Sequence, residues 1–191
     1  MRKLLIILTF STLAWAADPV SETGAGFSSG MRGSGFHGQF ARIQSDAFHW
    51  LLETRFFDLK GKNEVITYDY YYQPTTTGGI SLIMLTAEAG ARYFPFAGKI
   101  ANNFAPFVTI MAGPNLVLDA PESGAFLQRW QAAQPTLALA GYIGVGLSFY
   151  PSPRTVFGIG AGYDFLLLPK VVDGTDNYSG LVLKFSYSRQ K

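Results

Sequence analysis

Side chains alternate in character over long stretches of this chain, and that period of two constrains its fold more than any other feature. Phe48, Trp50, Leu52, Thr54 and Phe56 alternate with His49, Leu51, Glu53, Arg55 and Phe57. Ile83, Leu85, Ala87, Ala89, Ala91 and Tyr93 alternate with Met84, Thr86, Glu88, Gly90 and Arg92. The pattern returns at 137–149, at 157–165, and at the end, where Leu181, Leu183, Phe185 and Tyr187 oppose Val182, Lys184, Ser186 and Ser188. Successive side chains of a strand point to opposite faces, so each segment reads as a strand with one apolar face and one small, polar or charged face. Spanning helices are ruled out by interruption. Residues 104–118 contain Pro106 and Pro114, 136–150 contain three glycines, and 80–94 contain Glu88 and Arg92. None offers the roughly 20 unbroken apolar residues that a helix needs to cross a bilayer.

A soluble periplasmic β-fold would show the same alternation with a wet outer face, so the assignment of inside and outside rests on size. The non-apolar face is largely glycine, alanine and serine with one ionic group per strand, which suits the cramped interior of a narrow barrel. Closure also removes the unpaired strand edges that lipid cannot satisfy. The expected fold is therefore all-β: an eight-stranded antiparallel up-and-down transmembrane β-barrel. Its strands are expected near 35–43, 47–57, 64–72, 80–94, 105–115, 136–150, 155–168 and 178–188. With the N-terminus in the periplasm, 58–63, 95–104 and 151–154 become periplasmic turns, and 44–46, 73–79, 116–135 and 169–177 outer loops. The aromatics Tyr70, Tyr71 and Tyr72 would then girdle the outer interface, and Tyr93, Phe94, Phe149, Tyr150 and Tyr187 the inner one.

The chain starts with Arg2 and Lys3, an apolar run to Phe10 and Ala14-Trp15-Ala16, the pattern of a secretory signal peptide cut after Ala16. Three regions follow: a signal peptide at 1–16, a glycine-rich segment at 17–34 that is either disordered or the start of the first strand, and the barrel at 35–191. All 13 acidic residues lie after Ala16 and two of the 15 basic ones before it, which leaves thirteen of each and no net charge. A nucleic-acid partner is excluded on that ground. With no cysteine, neither a disulfide framework nor a thiolate metal site is possible.

The runs Gly90-Ala91-Arg92-Tyr93-Phe94, Pro106-Phe107-Val108 and Gly158-Ile159-Gly160-Ala161-Gly162-Tyr163 resemble the OmpA-like and opacity-protein-like family of eight-stranded outer-membrane β-barrels. The stretch Tyr178-Ser179-Gly180-Leu181-Val182-Leu183-Lys184-Phe185 resembles the sorting signal read by the barrel-assembly machinery. Ser188-Arg189-Gln190-Lys191 follows Tyr187, where such proteins commonly end on an aromatic residue. The resemblance implies a monomer in outer-membrane lipid that uses the assembly machinery during biogenesis.

The expected register sends Glu53, Arg55, Asp69, Glu88, Arg92, Asp164 and Lys184 into the lumen, with His37 and Gln39. Such groups are costly to bury unpaired, so a polar plug is expected; a gate, in which exchanging ion partners opens a small pore, is the sharper reading. His37 and His49 are the only imidazole bases, and neither sits in the His-x-Ser arrangement of lipid A deacylases. No catalytic residue, cofactor or metal site is assigned: Asp173-Gly174-Thr175-Asp176 lacks the trailing glutamate of a calcium loop. In the loop 116–135, Phe126 and Trp130 fall on one face of a possible short helix, either a lid on the rim or a partner-binding knob. The function expected is a non-enzymatic outer-membrane barrel with a structural or surface-interaction role and a closed, ion-paired lumen. The alternatives are a small OmpW-like transport barrel and a lipid A-modifying enzyme.

Overall fold

The computed structural model describes residues 20–59, 65–68, 70–72, 74–77, 81–99, 103–121, 128, 131–172 and 174–191. The signal-peptide segment lies outside the described residues. Eight long strands form one antiparallel ring: β1 (Ser21–Gly30), β2 (Gly33–Ser45), β3 (Phe48–Leu59), β6 (Ser81–Tyr93), β7 (Phe104–Ala120), β8 (Gln134–Ser152), β9 (Thr155–Val172) and β11 (Gly180–Gln190). Each pairs with its two neighbours, β11 pairs with β1, and β8 pairs with β9. Among the described residues the ring therefore has no terminal strand. The short strand β10 (Thr175–Asn177) adds to β9, and β4 (Val65–Tyr68) with β5 (Pro74–Thr77) forms a separate two-stranded sheet.

Two of the expected strands change place. The barrel begins with Ser21–Gly30, inside the glycine-rich segment that the sequence sets apart. Its outward side chains are Thr23, Ala25, Phe27 and Ser29, so only Phe27 carries the apolar signal by which a lipid-facing strand is recognised. Full ladders with β2 and β11 hold it instead. The segment 64–72 is not a barrel strand. Its β-branched and aromatic residues favour extended backbone, but Pro74–Thr77 follows closely enough to pair with it locally.

The exchange shifts the connections. The turn at 44–46 lies at the end that holds both termini, and the connection after β3, expected there, lies at the opposite end with 73–79. Tyr70, Tyr71 and Tyr72 occupy the tip of the β4–β5 hairpin, almost fully exposed, rather than a girdle at a strand end. At the other end Trp50, Tyr93, Phe149, Phe157 and Tyr187 face outward as an interfacial aromatic belt would. Phe94, expected among them, is buried.

The lumen is filled in layers. The middle carries the ionic residues. Towards the loop end the inward face turns apolar, with Phe57, Leu59, Leu82, Met84, Val117, Leu166, Leu168, Val172 and Tyr178 buried together. The expected small and polar inner face is thus only part of the interior. Glycines make room for the larger inward groups: a Cβ on Gly144 or Gly162 would collide with the ring of Tyr142.

Because β1 closes the ring, deleting residues 20–30 leaves β2 and β11 with bare edges. The expected result is loss of the compact, heat-modifiable band on detergent gels. A truncated chain that still migrates as a compact species would show that the ring closes without β1.

Candidate functional site

Arg55 lies at the centre of the lumen. Its guanidinium donates to both carboxylate oxygens of Asp164 at 2.9 Å and to Glu88 Oε2 at 2.6 Å, with Nε 3.4 Å from Glu53 Oε1. Lys184 Nζ donates to the same Glu53 oxygen at 2.6 Å and lies 3.8 Å from the centre of the Tyr142 ring. Backbone register explains the arrangement. Glu53 on β3 and Glu88 on β6 are directly opposite one another, a like-charge pairing that destabilises a sheet unless a cation intervenes. Arg55, two residues along the same face, supplies that cation.

The reach of the cluster is as informative as its charge. In the ring, β3 and β9 are separated by β2, β1 and β11 on one side and by β6, β7 and β8 on the other. The Arg55–Asp164 pair therefore crosses the full width of the barrel. Two voids of about 20 Å³ flank the cluster, one beside Phe57, Met84 and Tyr178, the other beside Gln39, Arg92 and Ser186. Each has room for about one water molecule.

A second, looser cluster sits nearer the termini. Arg92 lies 3.9 Å from Glu22, donates to Gln39 Oε1 at 3.3 Å, and stands over the Phe107 ring at 4.5 Å. Gln39 Nε2 donates to Ser188 at 2.7 Å and to Glu22 at 3.3 Å. Ser28 and His37 share a buried hydrogen bond of 2.9 Å. This serine–histidine pair is enclosed by the wall, with Ser28 wholly buried.

Of the residues singled out from sequence, Glu53, Arg55, Glu88, Asp164 and Lys184 come together, and Arg92 belongs to the second cluster. Asp69, Phe126 and Trp130 lie outside the described residues; Ala132 N–H donates to Gln128 O at 3.1 Å. Sequence reasoning missed Glu22. The signal was present: Glu22, Gly24, Gly26, Ser28 and Gly30 form a polar and small face against Thr23, Ala25, Phe27 and Ser29. Several lumen atoms have no hydrogen-bond partner within the protein, including Glu88 Oε1, Asn115 Nδ2 and Thr109 Oγ1. Among the described residues no group of three or more acidic or histidine side chains is placed to hold a metal ion.

No family model matches the sequence, and no curated protein matches it. Solved structures do. Neisserial surface protein A aligns over 90% of this chain and 94% of its own, at 10% identity and a TM-score of 0.56. The outer membrane protein OprG of Pseudomonas aeruginosa aligns over 91% and 96%, at 13% identity and 0.53. The attachment invasion locus protein Ail of Yersinia pestis, solved in complex with the heparin analogue sucrose octasulfate, aligns over 92% and 100%, at 12% identity and 0.52. This chain has the fold of the eight-stranded outer-membrane β-barrels of the OmpA and opacity type.

Proposed function

We propose that this chain is a non-enzymatic outer-membrane barrel, closed to solutes by its own lumen, that acts as a structural or surface-contact protein. The observation that carries this reading is the Arg55–Asp164 ion pair, which spans the barrel from β3 to β9. An eight-stranded ring leaves space for side chains rather than a channel. Here charges fill the middle and an apolar layer covers them towards the loop end. The serine–histidine pair is buried in the barrel wall, which favours a non-catalytic role.

The loop end supplies the contact surface in this reading. Its connections carry the cations Arg32, Lys60, Lys62 and Arg129 and the acids Glu64, Asp69, Glu122, Asp173 and Asp176. With no cationic excess, a polyanion like that bound to Ail is a poor fit. Uncharged tyrosines at the hairpin tip offer broad, half-apolar contact instead. The protein is a monomer in outer-membrane lipid, with the N-terminus in the periplasm. Its residues 1–16 are removed on export, and its last strand is read by the barrel-assembly machinery.

Three measurements test this reading. Purified protein in planar bilayers is expected to show no stable conductance; a persistent open channel in the wild type would overturn the closed lumen. Arg55→Met leaves Glu88 and Asp164 without their cation and is expected to lower unfolding free energy by about 3–5 kcal/mol, read as a shifted urea midpoint in lipid vesicles. An unchanged midpoint would remove the cluster from the stabilising interactions. N-terminal sequencing of the membrane-extracted protein is expected to begin at Ala17, and a start at Met1 would refute the leader.

A further inference from the structure

After Ala16 the chain carries no net charge, yet its charges are separated along the barrel axis. At the end that holds the termini stand Arg42, Lys99, Arg154, Arg189 and Lys191. Against them are Asp46 and, in the sequence just before the described residues, Asp18. The loop end has the opposite balance. To the connections named above it adds Lys170 among the cations and Asp58 and Asp119 among the acids, which leaves the acids in the majority.

Four of the five cations at the terminal end fall on one side of the ring, where β9, β11, β1 and β2 are neighbours. Parity sends three of them outward. Arg189 follows Leu181, Leu183, Phe185 and Tyr187 on the exposed face of β11, and Lys191 continues that face. Arg42 follows Phe36 and Phe40 on the outer face of β2. Arg154 is exposed in the turn before β9, and its carbonyl accepts from Gln190 N–H at 3.0 Å. The ladder fixes what lies between them. Arg189 pairs with Thr23 on one side and Thr155 on the other. Ser21 pairs with Arg42 and exchanges backbone hydrogen bonds with Lys191 at 2.9 and 3.4 Å. The long cations therefore rise beside short, hydroxyl-bearing neighbours.

No acidic side chain lies on the outward face of these four strands. Glu22, the acid of β1, is turned into the lumen, and Asp46 lines the lumen mouth beside His49 and Tyr150. The patch also sits at the edge of the aromatic belt. Arg42 pairs with Trp50, and Arg189 lies two residues beyond Tyr187 on the same face.

We propose that this face binds anionic glycerophospholipids of the periplasmic leaflet, their phosphates held by Arg189, Lys191 and Arg42. Guanidinium donors match phosphate oxygens in geometry, and the hydroxyls of Ser21, Thr23 and Thr155 offer further donors. The partner is a lipid because these side chains leave the wall sideways beside the belt, where headgroups lie, and not along the axis. It is anionic because neighbouring strands carry one sign of charge. This inference rests on the orientation proposed above.

The test is native mass spectrometry of the protein released gently from nanodiscs of phosphatidylcholine with a minor share of phosphatidylglycerol. Co-purifying phosphatidylglycerol is expected to be enriched about tenfold over its share of the bilayer, between the effects of one and of two basic groups at an anionic surface. The double variant Arg189→Gln, Lys191→Gln is expected to keep about twofold enrichment or less, while its heat-modifiable band on gels stays unchanged. Arg189→Lys, which keeps the charge, should retain most of the enrichment, and Lys170→Gln at the opposite end should retain all of it. Wild-type protein at the bulk ratio would overturn the proposal, as would a double variant with full enrichment or Lys170→Gln losing as much. A mass of two chains without lipid would assign the face to a second copy instead. Both leaflets of the nanodisc are alike, so orientation is read separately, by maleimide labelling of Lys99→Cys in intact cells. No labelling is expected, and labelling from outside would overturn the periplasmic leaflet while leaving the lipid result intact.

Discussion

A strand facing hydrocarbon has no water with which to satisfy its amides, so each must bond to a neighbouring strand. In this chain the demand is met by joining the first strand to the last. Ser21–Gly30 and Gly180–Gln190 pair over nine residues, and β1 does so with almost no apolar side chains of its own. The ladder, not side-chain burial, holds it in place. Everything inside the ring follows from that closure: the ladder fixes register, register fixes which groups meet, and the lumen must then neutralise whatever it receives.

What it receives is an excess of like charge on adjacent strands. Glu53 and Glu88 face each other, with Asp164 across the ring, and Arg55 touches all three. Such a cluster is a weak stabiliser when complete but strongly destabilising when broken. Its effect is therefore more on specificity than on net stability. A one-residue slip of β3 would turn Arg55 and Glu53 together towards lipid, so the charges oppose that shift.

Much of this was legible in the sequence where alternation was sharp. β3, β6, β8, β9 and β11 are readable from their own side chains, and parity alone puts Glu53, Arg55, Glu88, Asp164 and Lys184 in the interior. The reading failed where hydrophobic contrast was low or local propensity high. β1 has a small, weakly apolar outer face that does not mark it as a strand, and Glu22 goes unseen with it. The stretch 64–72 has strong strand propensity, yet propensity does not name the sheet to which a strand belongs. The apolar layer towards the loop end was also missed, because parity distinguishes inside from outside but not one depth of the lumen from another. Partner identity across the ring, such as Arg55 with Asp164, needs barrel geometry that no single strand contains.

Among the described residues the β4–β5 hairpin shares no ladder with the barrel. Its hydrogen bonding is local, between β4 and β5. Sequence change in its tip can proceed without disturbing register, lumen charge or closure. The barrel is thus a mount on which one exposed, tyrosine-bearing appendage is free to diverge.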